Sequence, residues 1–494
     1  MFCTGPFVFN PANLSALPAS SPFMKLASER DRVAHLLRRF GLGASEAELD
    51  YYSRDGLKSA IDKLLAPRPD AFDLSIERFG RDDKPTNLQG LQAWWLGTVL
   101  TTRNPLREKM AVFWHDHFAT SASKVTAVPL MYHHLQRLRT HAVGNFRTFC
   151  HAMAKDAAMI FWLDNQFNVK GKPNENFARE VMELFTLGIG HYTEDDVQQA
   201  AKAFTGYSFQ RPRRANPNEP RQMPSAEFVL RGPLHDDGPK KLFGKFGQFD
   251  GDDVIDLLCD NPQTARHLTT KIWEWFVYPE PSAAIIDKFS TVFRKADLEI
   301  SSLIRAIAQS DEFYSDRAVR SVYKNPVDFT LPTLRQLGLG EQLRTTLAGN
   351  GEIRPAQARG VIGSLQQATK GMGMSLMYPP DVAGWDTGAS WISSATMVER
   401  IGWADRLFGQ KSATSRVAQV TYPAFGLFRD NPTPEGVVDK LVSVFDAPVT
   451  SSQRAVLLEA ARKEAGSFAT VRNANATAAR VSRLIFGTPE FQFS

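Results

Sequence analysis

Cysteine is scarce in this chain: 494 residues hold three, Cys3, Cys150 and Cys259. An odd count at irregular spacing excludes a disulfide framework and the C-x-x-C pairs of redox and zinc sites. Cys150 and Cys259 lie in apolar, helix-like contexts, where a buried free thiol is the ordinary reading. Long apolar runs are missing as well. No window approaches the roughly 18 uninterrupted apolar residues of a membrane helix, so no span is expected. The N-terminus has no Lys or Arg before Lys25, and Pro6, Pro11 and Pro18 interrupt it. It therefore lacks the charged start of a secretory signal, and residues 1–27 read as a poorly ordered arm. Together with the cysteine usage, this points to a cytoplasmic location.

Charge of one sign is not in marked excess: 58 Lys+Arg against 53 Asp+Glu leave a net +5. That surplus does not argue for nucleic acid. Its densest part, Arg211, Arg213, Arg214 and Arg221 among prolines, reads as a solvated loop. Several chemical signatures are also lacking, namely G-x-S-x-G, the P-loop and H-E-x-x-H. Gly41-Leu42-Gly43 follows a helix pattern rather than a strand, which excludes a dinucleotide fingerprint.

What the chain does have is helical periodicity. Val33, Leu36, Leu37 and Phe40 share one face before Gly41 and Gly43, and Asn104-Pro105 opens another helix. Similar patterns recur as far as 472–485. Strand signal is confined to 206–210, 227–231 and 240–249. The length allows about three domains at roughly 100–200 residues each. The pattern instead predicts a mainly α fold: one large multi-helix body over 28–494, with one small β-hairpin insertion within 206–250.

Four polar constellations stand out. In Trp114-His115-Asp116-His117-Phe118, His117 continues the apolar stripe of Leu106, Met110 and Phe113. His115 points about 200° away at helical pitch. The pair is either catalytic or ligating, or His117 is a core histidine bonded to a carboxylate. The run 164–185 carries Asp164, Asn165, Asn168, Lys170 and Lys172 ahead of a helix expected over 174–187, with Asn174 as its cap and Asn176, Arg179, Glu180 and Glu183 on its polar face. This is either a ligand cradle or a buried network with an Arg179–Glu183 ion pair. His235 and Asp236 precede an Asp237-Gly238 turn, and the aromatic loop 378–386 ends on Trp385 and Asp386. Trp385 either lines a cleft or plugs the core. The spacing names no metal and no cofactor.

Taken in order, the segments 35–45, 107–121, 164–207, 235–255 and 378–392 resemble the bacterial family called "domain of unknown function 1800", over about residues 30–494. The resemblance implies a large helical protein without an assigned activity, often exported. It also implies a gene neighbour with a sulfatase- or phosphatase-like fold as a partner. Asp116 departs from the family pattern, where asparagine is usual at that position, and Asp237 stands where an apolar residue is common.

Two functional expectations follow. In the first, His115, His117, Glu180, Glu183, His235 and Asp386 supply acid–base catalysis for hydrolysis or transfer on a polymer such as a polysaccharide. Asp164, Asn165, Lys172, Asn174, Asn176, Arg179, Asp236 and Trp385 would then bind the substrate. In the second, the same motifs are buried networks of a non-catalytic helical scaffold that binds a partner.

Overall fold

The computed structural model describes residues 26–68, 74–79, 86–210, 223–350, 355–409 and 419–494. Nearly all of the expected 1–27 arm, and the loop carrying Arg211, Arg213, Arg214 and Arg221, lie outside the described residues.

Local chemistry starts many of the helices. Ser28 and Asp31 exchange side-chain and main-chain hydrogen bonds at the head of Glu29–Arg39. Ser45 with Glu48 and Thr193 with Asp196 do the same for Glu46–Ser53 and Glu194–Ala203. Glu29–Arg39 stops where the Gly43 N–H returns to the Leu37 carbonyl with φ +70. Asn104 departs from expectation. Pro105 does open the helix Pro105–His117, but the Asn104 amide grips the Arg68 main chain instead of capping it, accepting at 2.7 Å and donating at 3.1 Å.

Twenty-two α-helices occur among the described residues, and the fold is mainly α. Their apolar faces merge into one continuous core that runs from Val33 to Phe491. Leu88–Thr101 and Pro105–His117 are covered nearly all round, as expected of helices at the centre of a large protein. Trp94, Trp95 and Trp114 are among the largest fully buried side chains. Further along the chain, Ser394–Phe408 and Ser451–Ala465 both pack on Ala474–Phe486.

Among the described residues the insertion holds two antiparallel ladders, one of them the expected small hairpin. β1 (Tyr207–Phe209) pairs with β2 (Phe228–Leu230), and β3 (Lys240–Leu242) pairs with β4 (Lys245–Gly247). The second is the tight hairpin, because Phe243 and Gly244 both take positive φ (49° and 76°) in a two-residue turn. Asp237-Gly238 makes its turn earlier, with the Asp236 carboxylate accepting from the Gly238 N–H at 3.0 Å. Among the described residues no helix is long and apolar enough to cross a membrane.

Candidate functional site

The helix Pro105–His117 carries both histidines into the interior, where His115 is 0% and His117 1% exposed. Burial holds both imidazoles well below their ordinary pKa, so they are neutral. His115 Nε2 accepts from the Met377 N–H at 3.0 Å, which assigns its proton to Nδ1. Its ring is packed between Trp95 and Trp385. Met377 is a fully buried non-glycine residue at φ +71, and its carbonyl accepts from the Ala122 N–H at 2.8 Å. A strained residue is thus gripped on both sides, as such backbone requires.

The next residue grips the same loop. Asp116 accepts from the Trp385 N–H at 2.8 Å. Gly384 makes the approach possible: at φ +94, a Cβ there would meet the Asp116 carboxylate oxygen at 2.4 Å. Burial pushes the Asp116 carboxyl up to about 6, against the opposing influences of the Trp385 N–H and the Lys271 ammonium. Trp385 is 7% exposed, whereas Asp386 turns to solvent. The structure therefore brings together His115, Asp116 and Trp385 and leaves Asp386 outside.

His117 faces a different element. The helix expected over 174–187 is α-helical only from Asn176 to Glu180, then winds as a π-helix from Val181 to Thr186. A wider turn leaves carbonyls without their usual intrahelical donors. Three side chains supply donors: His117 Nε2 to Phe185 (3.2 Å), His267 Nε2 to Leu184 (3.2 Å) and Gln263 Nε2 to Leu187 (3.1 Å). His117 is a core histidine, but its partner is a main-chain carbonyl rather than a carboxylate. Burial, aided by Lys271, lowers His267 to about 4. Burial also lowers Lys271, against the attraction of Asp116 and Glu274.

The π turn also re-phases the polar face. Arg179 pairs with Glu175 at 3.2 Å and Glu194 at 2.7 Å, not with Glu183. Glu183 instead accepts from the Tyr192 hydroxyl. Glu180 is part-buried, and its carboxyl is raised by burial and then by the neighbouring Glu183.

The amide-rich run forms a knot rather than an open cradle. Asn165 and Asn168 are 0% and 1% exposed. Asn168 donates to the Asn165 side chain (3.0 Å) and the Ala201 carbonyl (2.8 Å), and accepts from the Asn174 N–H (2.9 Å). Asn176 and Asn174 reach back to the Leu163 and Asp164 carbonyls, and Asp164 pairs with Lys124 at 2.8 Å. Lys172 is exposed. The knot continues into the insertion through Gly206, whose N–H donates to the Asn168 carbonyl. At Thr205, the carbonyl accepts from His235 Nδ1 (2.9 Å) and the hydroxyl accepts from the Asp236 N–H (2.7 Å).

Sequence reasoning missed His267, Lys271 and Gln263, and also a fully buried pair, His134 and Asp156, bonded at 3.0 Å. Burial pushes the Asp156 carboxyl up, but His134, Arg137 and the Met159 N–H together hold it below its ordinary value. The i, i+4 spacing of His267 and Lys271 on Pro262–Phe276 was the available signal. Among the described residues no three His, Cys, Asp or Glu side chains gather as metal ligands would.

These motifs define a class: large, mainly helical proteins in which a buried histidine helix clamps a distant loop and a π turn. Residues 35–493 match the family described as "Protein of unknown function (DUF1800)", and the chain belongs to that family. No curated protein and no solved structure matches it.

Proposed function

We propose that this chain is a helical scaffold that binds a partner protein, and that its histidine motif sets geometry rather than performing chemistry. The observation that supports this is the engagement of His115 and His117 with main-chain groups of two distant segments, inside a sealed interior. A neutral imidazole fixed in this way orders a core network. The partner we favour is the sulfatase- or phosphatase-like protein that the family resemblance implies. Phe167 (68% exposed), Leu230 and Leu234 offer it exposed apolar side chains, on segments joined by the bond from the Lys170 N–H to the Leu234 carbonyl.

The test is a binding titration of the full chain against that neighbouring protein, with melting temperatures measured in parallel. Phe167→Ser with Leu234→Ser should abolish binding at an unchanged melting temperature. His117→Ala should lower both together. A measurable turnover lost in His117→Ala or Glu183→Gln at unchanged stability would overturn the scaffold reading.

A second reading rests on Glu180, whose raised carboxyl beside Glu183 has the character of a general acid. Hydrolysis or transfer on a polymer such as a polysaccharide is the activity that would use it. Glu180→Gln should then remove turnover while leaving partner binding intact.

A further inference from the structure

A second polar region lies away from the motifs described above. Between the end of Glu29–Arg39, the helix Pro326–Gln336 and the segment around Asp446 lies a small cleft, part of it open to solvent. Arg38 and Lys324 line it, with Asp328, Thr333, Gln336 and Asp446.

Its charges do not balance. Arg38 and Arg320 both pair with Asp446, and Lys109 pairs with Asp328. Arg39 and Arg400 lie immediately behind, and both are satisfied largely by carbonyl oxygens. Arg39 donates to the Phe276, Val277 and Ser494 main chain, and Arg400 to the Lys324 main chain and the Gln492 side chain. Among the described residues Lys324 pairs with no carboxylate. It is 8% exposed, and its amine makes no hydrogen bond there, resting on the Phe491 ring at 3.6 Å from the centroid. Burial, and then the neighbouring Arg320, lower it well below its ordinary pKa against the attraction of Asp446. Its main chain is pinned by the bond from its N–H to the Gln492 carbonyl. Six basic side chains thus gather around two carboxylates, Asp328 and Asp446.

Donors are left over as well as charge. Among the described residues, Arg38 Nε and Arg320 Nη1 are buried without an acceptor. Buried N–H groups of charged side chains are rarely left in that state. The backbone is also held away from its relaxed conformations. Arg320 and Asp446, which bond to each other, both take left-handed φ, 49° and 47°. Strain of this kind concentrates at ligand clamps and switches.

We infer that this cleft binds a tetrahedral oxyanion, a phosphate or sulfate group, with Lys324 and Arg38 as its principal donors. An oxyanion beside the Lys324 amine favours its protonated form, and that group with the Arg38 N–H then donates to an acceptor open from several directions. Gln336 adds a neutral polar side chain to the lining.

The experiment is calorimetric titration of the full chain with inorganic phosphate, inorganic sulfate and glycerol phosphate, at ionic strength held constant with chloride. Saturable binding of at least one is expected, with affinity at least tenfold weaker in Lys324→Met. Gln336→Glu, which places a negative charge in the cleft without removing a buried cation, should weaken binding similarly and covers the case where Lys324→Met does not fold. Tighter binding of glycerol phosphate than of inorganic phosphate would assign the site to an esterified group, and the reverse order to the free ion. Absence of saturable binding, or equal affinities in wild type and Gln336→Glu, would overturn the inference.

Discussion

Replacing Asp116 with asparagine separates the geometric role of the histidine helix from its charge. The position must offer an acceptor to the Trp385 N–H at 2.8 Å, and an amide oxygen does so as well as a carboxylate. The carboxylate has an additional cost, because burial lifts its pKa from an ordinary 3.8 to about 6. A folded-state pKa above the unfolded one means that the native state holds the proton more tightly. The associated stability is fully present below about pH 3.8 and is lost as pH rises through about 6. The shift corresponds to roughly 3 kcal/mol. Asp116→Asn should therefore match wild type near pH 4 and exceed it by up to about 3 kcal/mol near pH 8. Buried neutral His115 and His117 act in the opposite sense, losing stability as pH falls through their unfolded pKa of about 6.5. Only the difference between the two proteins isolates residue 116. Urea unfolding across this pH range, monitored by circular dichroism, gives that difference. A constant difference, or a loss at high pH, would refute the assignment of Asp116 as a buried acceptor and would favour an ionised, functional carboxylate.

Other outcomes follow from the same geometry. Gly384→Ala places a methyl 2.4 Å from the Asp116 carboxylate oxygen at φ +94, and should destabilise by roughly 3 kcal/mol in the same urea assay. His115→Leu leaves the buried Met377 N–H without an acceptor and should cost about 1–3 kcal/mol; His115→Gln, which retains an acceptor oxygen, should recover part of it. Contact with the Cys259 thiol and burial raise the Cys150 thiol well above its ordinary pKa. Cys150 should resist a thiol reagent in the native protein and react at once in denaturant, as read by absorbance of the released chromophore.

The helix start named from the sequence, Asn104-Pro105, was legible only in part: Pro105 opens the helix by its own local chemistry, whereas the Asn104 amide is drawn to Arg68, 36 residues away. The role of His115 was not legible, because its partner Met377 lies 262 residues away. Periodicity did place His117 on the inward face, but it could not show a carbonyl at the other end of the bond. The stripe of Phe177, Val181, Leu184 and Phe185 suits a continuous helix, so nothing in it announces the π turn. That turn in turn overruled the Arg179–Glu183 pairing and gave Arg179 to Glu194 on the following helix. Asn165 and Asn168 stood out as a dense amide run, and density alone cannot distinguish an open cradle from a closed knot. The two thiols Cys150 and Cys259 became neighbours only through the packing of Phe146–Ala154 on Gly251–Asp260.

A π turn holds one residue of slack that can, in principle, migrate along a helix like a dislocation through a crystal. Here Gln263, His267 and His117 pin that dislocation from two other helices. Sliding it by a single residue would break three bonds at once. The segment therefore behaves as a latch with one resting position, and its keys are held by Pro262–Phe276 and Pro105–His117.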